Sequence, residues 1–88
     1  MNEEEEIRRA DKARQILDSD VFKEAFGEVE RVLLDGIRRA PFKDTELREK
    51  LCQQYVALHT IRDQIGSYIE SGKLAEAGLA ERIRSAFR

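Results

Sequence analysis

The sequence predicts an all-α protein: an antiparallel helical hairpin, completed by self-association. Three observations carry that expectation. Leu47, Leu51, Leu58, Ile61, Ile65 and Ile69 recur at helical spacing, with Tyr55 and Tyr68 filling out the stripe. Phe22, Phe26, Val29, Leu33 and Ile37 form a second line, with charges at Lys23, Glu24, Glu28, Glu30, Arg31 and Asp35 on the other side. Between the two stands Ala40-Pro41-Phe42-Lys43-Asp44-Thr45, a short connection that makes long helices antiparallel neighbours.

The first helix is expected over about residues 3–40. Glu3 to Glu6 suit a helix start, where negative charge meets the macrodipole. Glu4–Arg8 and Glu5–Arg9 add i,i+4 pairs. This acidic run reads as a solvated helix start rather than a lure for a basic partner. Ile7, Ala10, Ala13 and Leu17 continue a thin stripe. Asp18, Ser19 and Asp20 are better N-caps than helix-interior residues. Either the helix runs through with a weak spot at 18–20, or it stops and a new one starts there; a break is the favoured reading. Gly36 lies close to the apolar line, where a missing side chain lets another backbone approach. Arg38 and Arg39 sit in the last turn, where positive charge suits exposed carbonyls.

Pro41 disfavours helix at Ala40 and ends the ladder. The turn is placed at 41–44, with Phe42 plugging the end of the hairpin and Asp44 capping a second helix over about 45–71. Gly72 is placed for a left-handed C-terminal cap. Leu79, Ile83 and Phe87, at i,i+4 steps, predict a short tail helix over about 75–87 that packs on the hairpin or on a partner.

Eighty-eight residues allow one small domain, here 1–88, and chains of that size often need a disulfide, a metal or a partner. A single cysteine, Cys52, excludes an internal disulfide. Cys52 and His59 are about 10.5 Å apart along one helix and cannot close on a metal ion alone. No metal and no cofactor is expected, and self-association remains as the added source of stability. The stripes are also wider than one seam requires. Cys52, Val56 and Gly66 flank the second helix, and with Leu79, Ile83 and Phe87 they are the candidate interaction residues, the partner being a second copy.

The charge is dense but nearly balanced, with 16 basic and 18 acidic side chains. That disfavours nucleic acid, which calls for a basic excess. The N-terminus lacks the apolar stretch of a signal peptide, and no run approaches the roughly 20 apolar residues that span a bilayer. No membrane role is expected, and a lone thiol agrees with the cell interior. No nucleophile motif, phosphate-cradling loop or ligand cluster is found, so the chain reads as a non-enzyme. His59 reads as a boundary residue and Cys52 as a small packing residue.

The pattern Ala10-x-x-Ala13-x-x-Ile16-Leu17-Asp18, then Phe22-Lys23-Glu24-Ala25-Phe26, then Glu46-Leu47-Arg48-Glu49-Lys50-Leu51, closing on Ile69-Glu70-Ser71-Gly72-Lys73, resembles a group of small helical proteins of tailed bacteriophages and prophages. Those proteins tend to be encoded among head-assembly and DNA-packaging genes. Members often carry Asn-Pro-Leu-Phe where this chain has Ser19-Asp20-Val21-Phe22. The resemblance implies a structural or assembly role with a phage head or packaging component as partner, in the host cytoplasm or on the virion. The alternative is a DNA-packaging or DNA-binding accessory, in which oligomerisation gathers Arg82, Arg84 and Arg88, with Arg38 and Arg39, into a basic ring. A third reading is a regulatory binder that sequesters a host protein.

From this assignment of faces, Leu58→Arg is expected to unfold the hairpin. Val56→Arg is expected to disturb assembly while leaving helicity intact. Circular dichroism and sedimentation separate the two.

Overall fold

A computed structural model describes residues 2–87 of the chain. Three helices are present, α1 (Glu3–Asp18), α2 (Asp20–Arg39) and α3 (Thr45–Ala86), and no strand occurs among the described residues.

Local chemistry sets most of the boundaries. Asn2 opens α1, its Oδ1 accepting the N–H of Glu5 at 2.8 Å. Of the three candidates at 18–20, Ser19 makes the break. Its backbone is extended (φ −62°, ψ 129°) and its Oγ accepts the N–H of Phe22 at 3.3 Å. Such a cap satisfies one of the four free amides at a helix start. α2 ends where Pro41 pushes Ala40 out of the helical region (φ −57°, ψ 133°). Asp44 caps α3, accepting the N–H of Leu47 at 3.0 Å.

Phe42 does not plug the connection; it is 91% exposed. The end of α2 is closed by polar contacts instead. Arg48 donates to the carbonyls of Pro41 and Ala40, at 3.0 and 3.4 Å, and the N–H of Asp44 donates to Pro41. A guanidinium carries enough donors to satisfy both carbonyls, so no apolar cover is needed there.

The second helix also does not stop at 71, and there is no separate tail helix. α3 continues through Gly72 to Ala86, and no residue has positive φ among those described. The reason lies in what faces Gly72. The chain divides into two compact units, one joining α1 to α3 from Gln64 onward and the other spanning Ser19–Asp63. In the first unit Ala10 packs against Gly72, and a Cβ on Gly72 would overlap the Cβ of Ala10 and stand 3.3 Å from the Glu6 carbonyl. Glycine serves close helix approach here rather than chain reversal.

Ala10, Ala13, Gly72 and Ala75 are the buried residues of that unit. Small side chains let two backbones come close, and dispersion along the seam substitutes for large apolar side chains. Around the seam, the Arg9 guanidinium lies 4.1 Å over the Tyr68 ring, and Arg82 stands 2.6 Å from Glu3. The first contact is a cation–π pair. The second is a partly exposed ion pair, worth about 0–1 kcal/mol.

In the Ser19–Asp63 unit, Leu33 is the buried side chain. Gly36 lets Leu51 in, since a Cβ there would be 3.2 Å from Leu51 Cδ1. Contacts pair Gly36 with Leu51, Glu30 with His59 and Phe26 with Arg62, rising along α3 as they fall along α2.

Two glycine substitutions are expected to move stability in opposite directions. At Gly66, where nothing stands within 4 Å of an added Cβ, Gly66→Ala should stabilise by about 1 kcal/mol through helix propensity. Gly72→Leu should destabilise by about 1–3 kcal/mol or more through overpacking against Ala10. Denaturant titration of both variants checks the pair.

Candidate interaction surface

Two helices in contact cover only a limited arc of each other, and the apolar arcs here are wider than that. With 3.6 residues per turn, Ala25, Val29 and Val32 lie on one flank of the line through Phe22, Phe26 and Leu33. Glu30 and Leu34 lie on the other flank. The two flanks are treated very differently by the fold.

On the Glu30 flank the seam is closed by a polar and aromatic cluster. His59 Nε2 is 2.7 Å from Glu30 Oε2, and Arg62 Nη2 is 3.0 Å from His59 Nδ1. A guanidinium can only donate, so Nδ1 accepts and the proton sits on Nε2, which donates to Glu30. His59 meets Phe26 edge-on at 5.2 Å and lies 4.4 Å from the Tyr55 ring. Arg62 stands 4.6 Å over the opposite partner of that contact, the Phe26 ring. Both imidazole nitrogens are engaged, so His59 orders the seam.

On the other flank the seam stays open. Phe22, Ala25, Phe26 and Val29 of α2, with Leu58 and Ile61 of α3, line an apolar groove of about 210 Å³. Its two lips are Val29, 46% exposed, and Ile61, 61% exposed. Val21 and Val32 extend the exposed apolar surface along α2.

The residues singled out from the sequence fall into both units. Cys52 and Val56 are exposed on α3 within the Ser19–Asp63 unit. Asp63 and Thr60 interrupt their flank before Gly66, so it forms no continuous apolar strip. Gly66, Leu79, Ile83 and Phe87 belong to the other unit. Leu79 is half-buried and shares a hollow with Asn2, Glu3, Glu4 and Arg82. Ile83 and Phe87 are exposed. The groove on the α2 side was not distinguished from the sequence, because Phe22, Phe26, Val29, Leu58 and Ile61 all read as one inner line. A hydrophobic period identifies the apolar arc but not which part of it the neighbour covers.

The basic residues of the DNA alternative have acidic neighbours. Arg82 pairs with Glu3, Arg84 with Glu81 at 3.0 Å, and Arg38 and Arg39 with Asp35 at 2.7 and 3.2 Å. Arg88 lies outside the described residues. Hydrogen bonding from Arg38, with Arg39 nearby, holds the Asp35 carboxyl below the usual range, and Arg31 does the same for Glu28. No group of three or more His, Cys, Asp or Glu side chains is placed to hold a metal ion among the described residues. None of the described helices is long and apolar enough to cross a membrane.

The lowered carboxylates fix a pH dependence. Their contribution to α2 is present above the ordinary carboxylate range and is lost as pH falls through the depressed values. Carboxyl carbon NMR is expected to find Glu28 and Asp35 titrating below free glutamate and aspartate, with Arg38→Ala returning Asp35 towards its ordinary value. His59→Phe, which keeps the ring packing but removes the bonds to Glu30 and Arg62, is expected to cost about 1 kcal/mol in a denaturant titration. Comparison of the chain with known protein families, with characterised proteins and with solved structures finds no match.

Proposed function

We propose that the protein is a non-enzymatic helical interaction module that associates with itself through the apolar groove on the Ser19–Asp63 unit. One observation carries this reading. Among the described residues the buried hydrophobic side chains are Ala10, Ala13, Leu33 and Ala75, three of them alanine, while large ones such as Val29, Val32 and Ile61 stay exposed. Fully burying one Val, Leu or Ile side chain is worth about 1.5–3 kcal/mol. Covering Val29, Val32 and Ile61 together therefore offers a gain comparable with the lower estimates of the cost of association, about 4 kcal/mol.

The order of contacts between α2 and α3 supports reading the two as an antiparallel hairpin, a unit that bundles form by pairing. The resemblance of Ala10–Lys73 to small phage and prophage proteins supplies the setting: assembly of a phage head or packaging component, in the host cytoplasm or on the virion. Against the DNA-accessory alternative stand the carboxylates beside Arg38, Arg39, Arg82 and Arg84, which leave less positive charge free for phosphates.

Sedimentation or light scattering at tens of micromolar is expected to give a mass above the 10.2 kDa of the monomer. Val29→Arg and Ile61→Arg are each expected to lower that mass while circular dichroism stays unchanged. A wild-type mass equal to the monomer overturns the reading. Val56→Arg tests the other flank of α3 by the same readout. A gel shift with duplex DNA that survives physiological salt and weakens steeply as salt rises would favour the alternative.

A further inference from the structure

We infer that His59 is a proton-operated latch on Arg62: the neutral ring holds the guanidinium over Phe26, and a proton on Nδ1 releases it and bares that ring. The two imidazole nitrogens have partners of opposite kind. Nε2 stands 2.7 Å from a carboxylate oxygen of Glu30 on α2, and Nδ1 stands 3.0 Å from Nη2 of Arg62, one turn further along α3. A carboxylate accepts and a guanidinium donates. The two neighbours together therefore fit only the neutral ring, with its proton on Nε2 and its lone pair on Nδ1.

A second proton acts on the two sides in opposite senses. At Nε2 the N–H still meets Glu30, now as a charge-assisted bond across the seam. At Nδ1 the lone pair is gone, and an N–H faces a group that can only donate. The two groups are then also like charges in contact, which disfavours keeping them together. Arg62 has no carboxylate to hold it in place. It is exposed, and among the described residues it enters none of the ion pairs that occupy Arg31, Arg38, Arg39, Arg82 and Arg84. Its other contact is the Phe26 ring, 4.6 Å away. His59 meets that same ring edge-on at 5.2 Å, so a guanidinium that stayed on Phe26 would stay beside the imidazolium.

The remaining titratable and charged groups near His59 do not take over this role. The Tyr55 ring lies 4.4 Å from the imidazole. Asp63 is one turn further along α3, where it favours the charged ring, and Lys23 is two turns before Glu30 on the same flank of α2, where it opposes it. Phe26 also lines the apolar groove, so the proton taken up by His59 changes the apolar surface at the groove wall. The latch works within one chain and stands or falls independently of self-association.

The test is an NMR titration of the labelled full-length protein from about pH 8 to about pH 5. Nitrogen shifts are expected to place the single proton of neutral His59 on Nε2. Cross-relaxation between the Arg62 side chain and the Phe26 ring is expected at the alkaline end and should be lost in step with protonation of His59. Arg62→Met, at an exposed position, removes the cation and keeps the apolar stem, and circular dichroism checks its helices. Its His59 is expected to bind the proton about threefold or more tightly than the wild type, since a neighbouring like charge has gone. Three results would each overturn the latch: a neutral ring with its proton on Nδ1, Arg62–Phe26 contacts that persist after His59 is protonated, or a variant whose His59 titrates with the wild type. The first two are read on the wild type alone, so the test does not depend on the variant folding.

Discussion

Close approach of α1 to α3 at Gly72 is the contact on which the C-terminal half of α3 depends. With no side chain at Gly72, Ala10 settles against the α3 backbone, and Ala13 and Ala75 are buried with them. Because that seam is made of small residues, its stability comes from proximity rather than from apolar volume. The same contact explains the length of α3. A glycine that would end a free helix is held inside this one by the helix packed against it.

α3 takes part in both units. Up to Asp63 it meets α2, where Leu33 is buried and Gly36 admits Leu51; from Gln64 onward it meets α1. Each partner is a single helix, so neither meeting closes a core of ordinary size. The Ser19–Asp63 unit compensates on one side with a polar and aromatic cluster. Glu30, His59, Arg62, Phe26 and Tyr55 satisfy one another by hydrogen bonds, ring contacts and a cation–π pair. A network in which each member is engaged rigidifies a seam that a few apolar contacts would leave loose. The other side has no such cluster and remains an apolar groove, which is what directs the functional reading towards association.

Elsewhere the fold spends charge locally. Arg31 serves Glu28, Arg38 and Arg39 serve Asp35, and Arg84 serves Glu81, all within one helix at i,i+3 or i,i+4 spacing. Such pairs tune helix content and lower the free positive charge of the surface. The acidic start of α1 has a structural use through Glu3, which meets Arg82.

The sequence by itself determined what depends on neighbours within a few residues. The helical class, a polar cap within residues 18–20, the aspartate cap at the turn and the effect of Pro41 all follow from backbone preferences and hydrogen bonds over one turn. Tertiary structure decided whatever depends on which helix faces which. Gly72 is ambiguous alone, since the same residue ends a helix or admits another, and only Ala10 settles the choice. Phe42 had no cover waiting for it, because Arg48 closes that end. The wide apolar arc of α2 was plain in the periodicity, but its division into a sealed flank and an open groove was not. That division rests on Glu30, His59 and Arg62, residues far apart in the chain that only packing brings together.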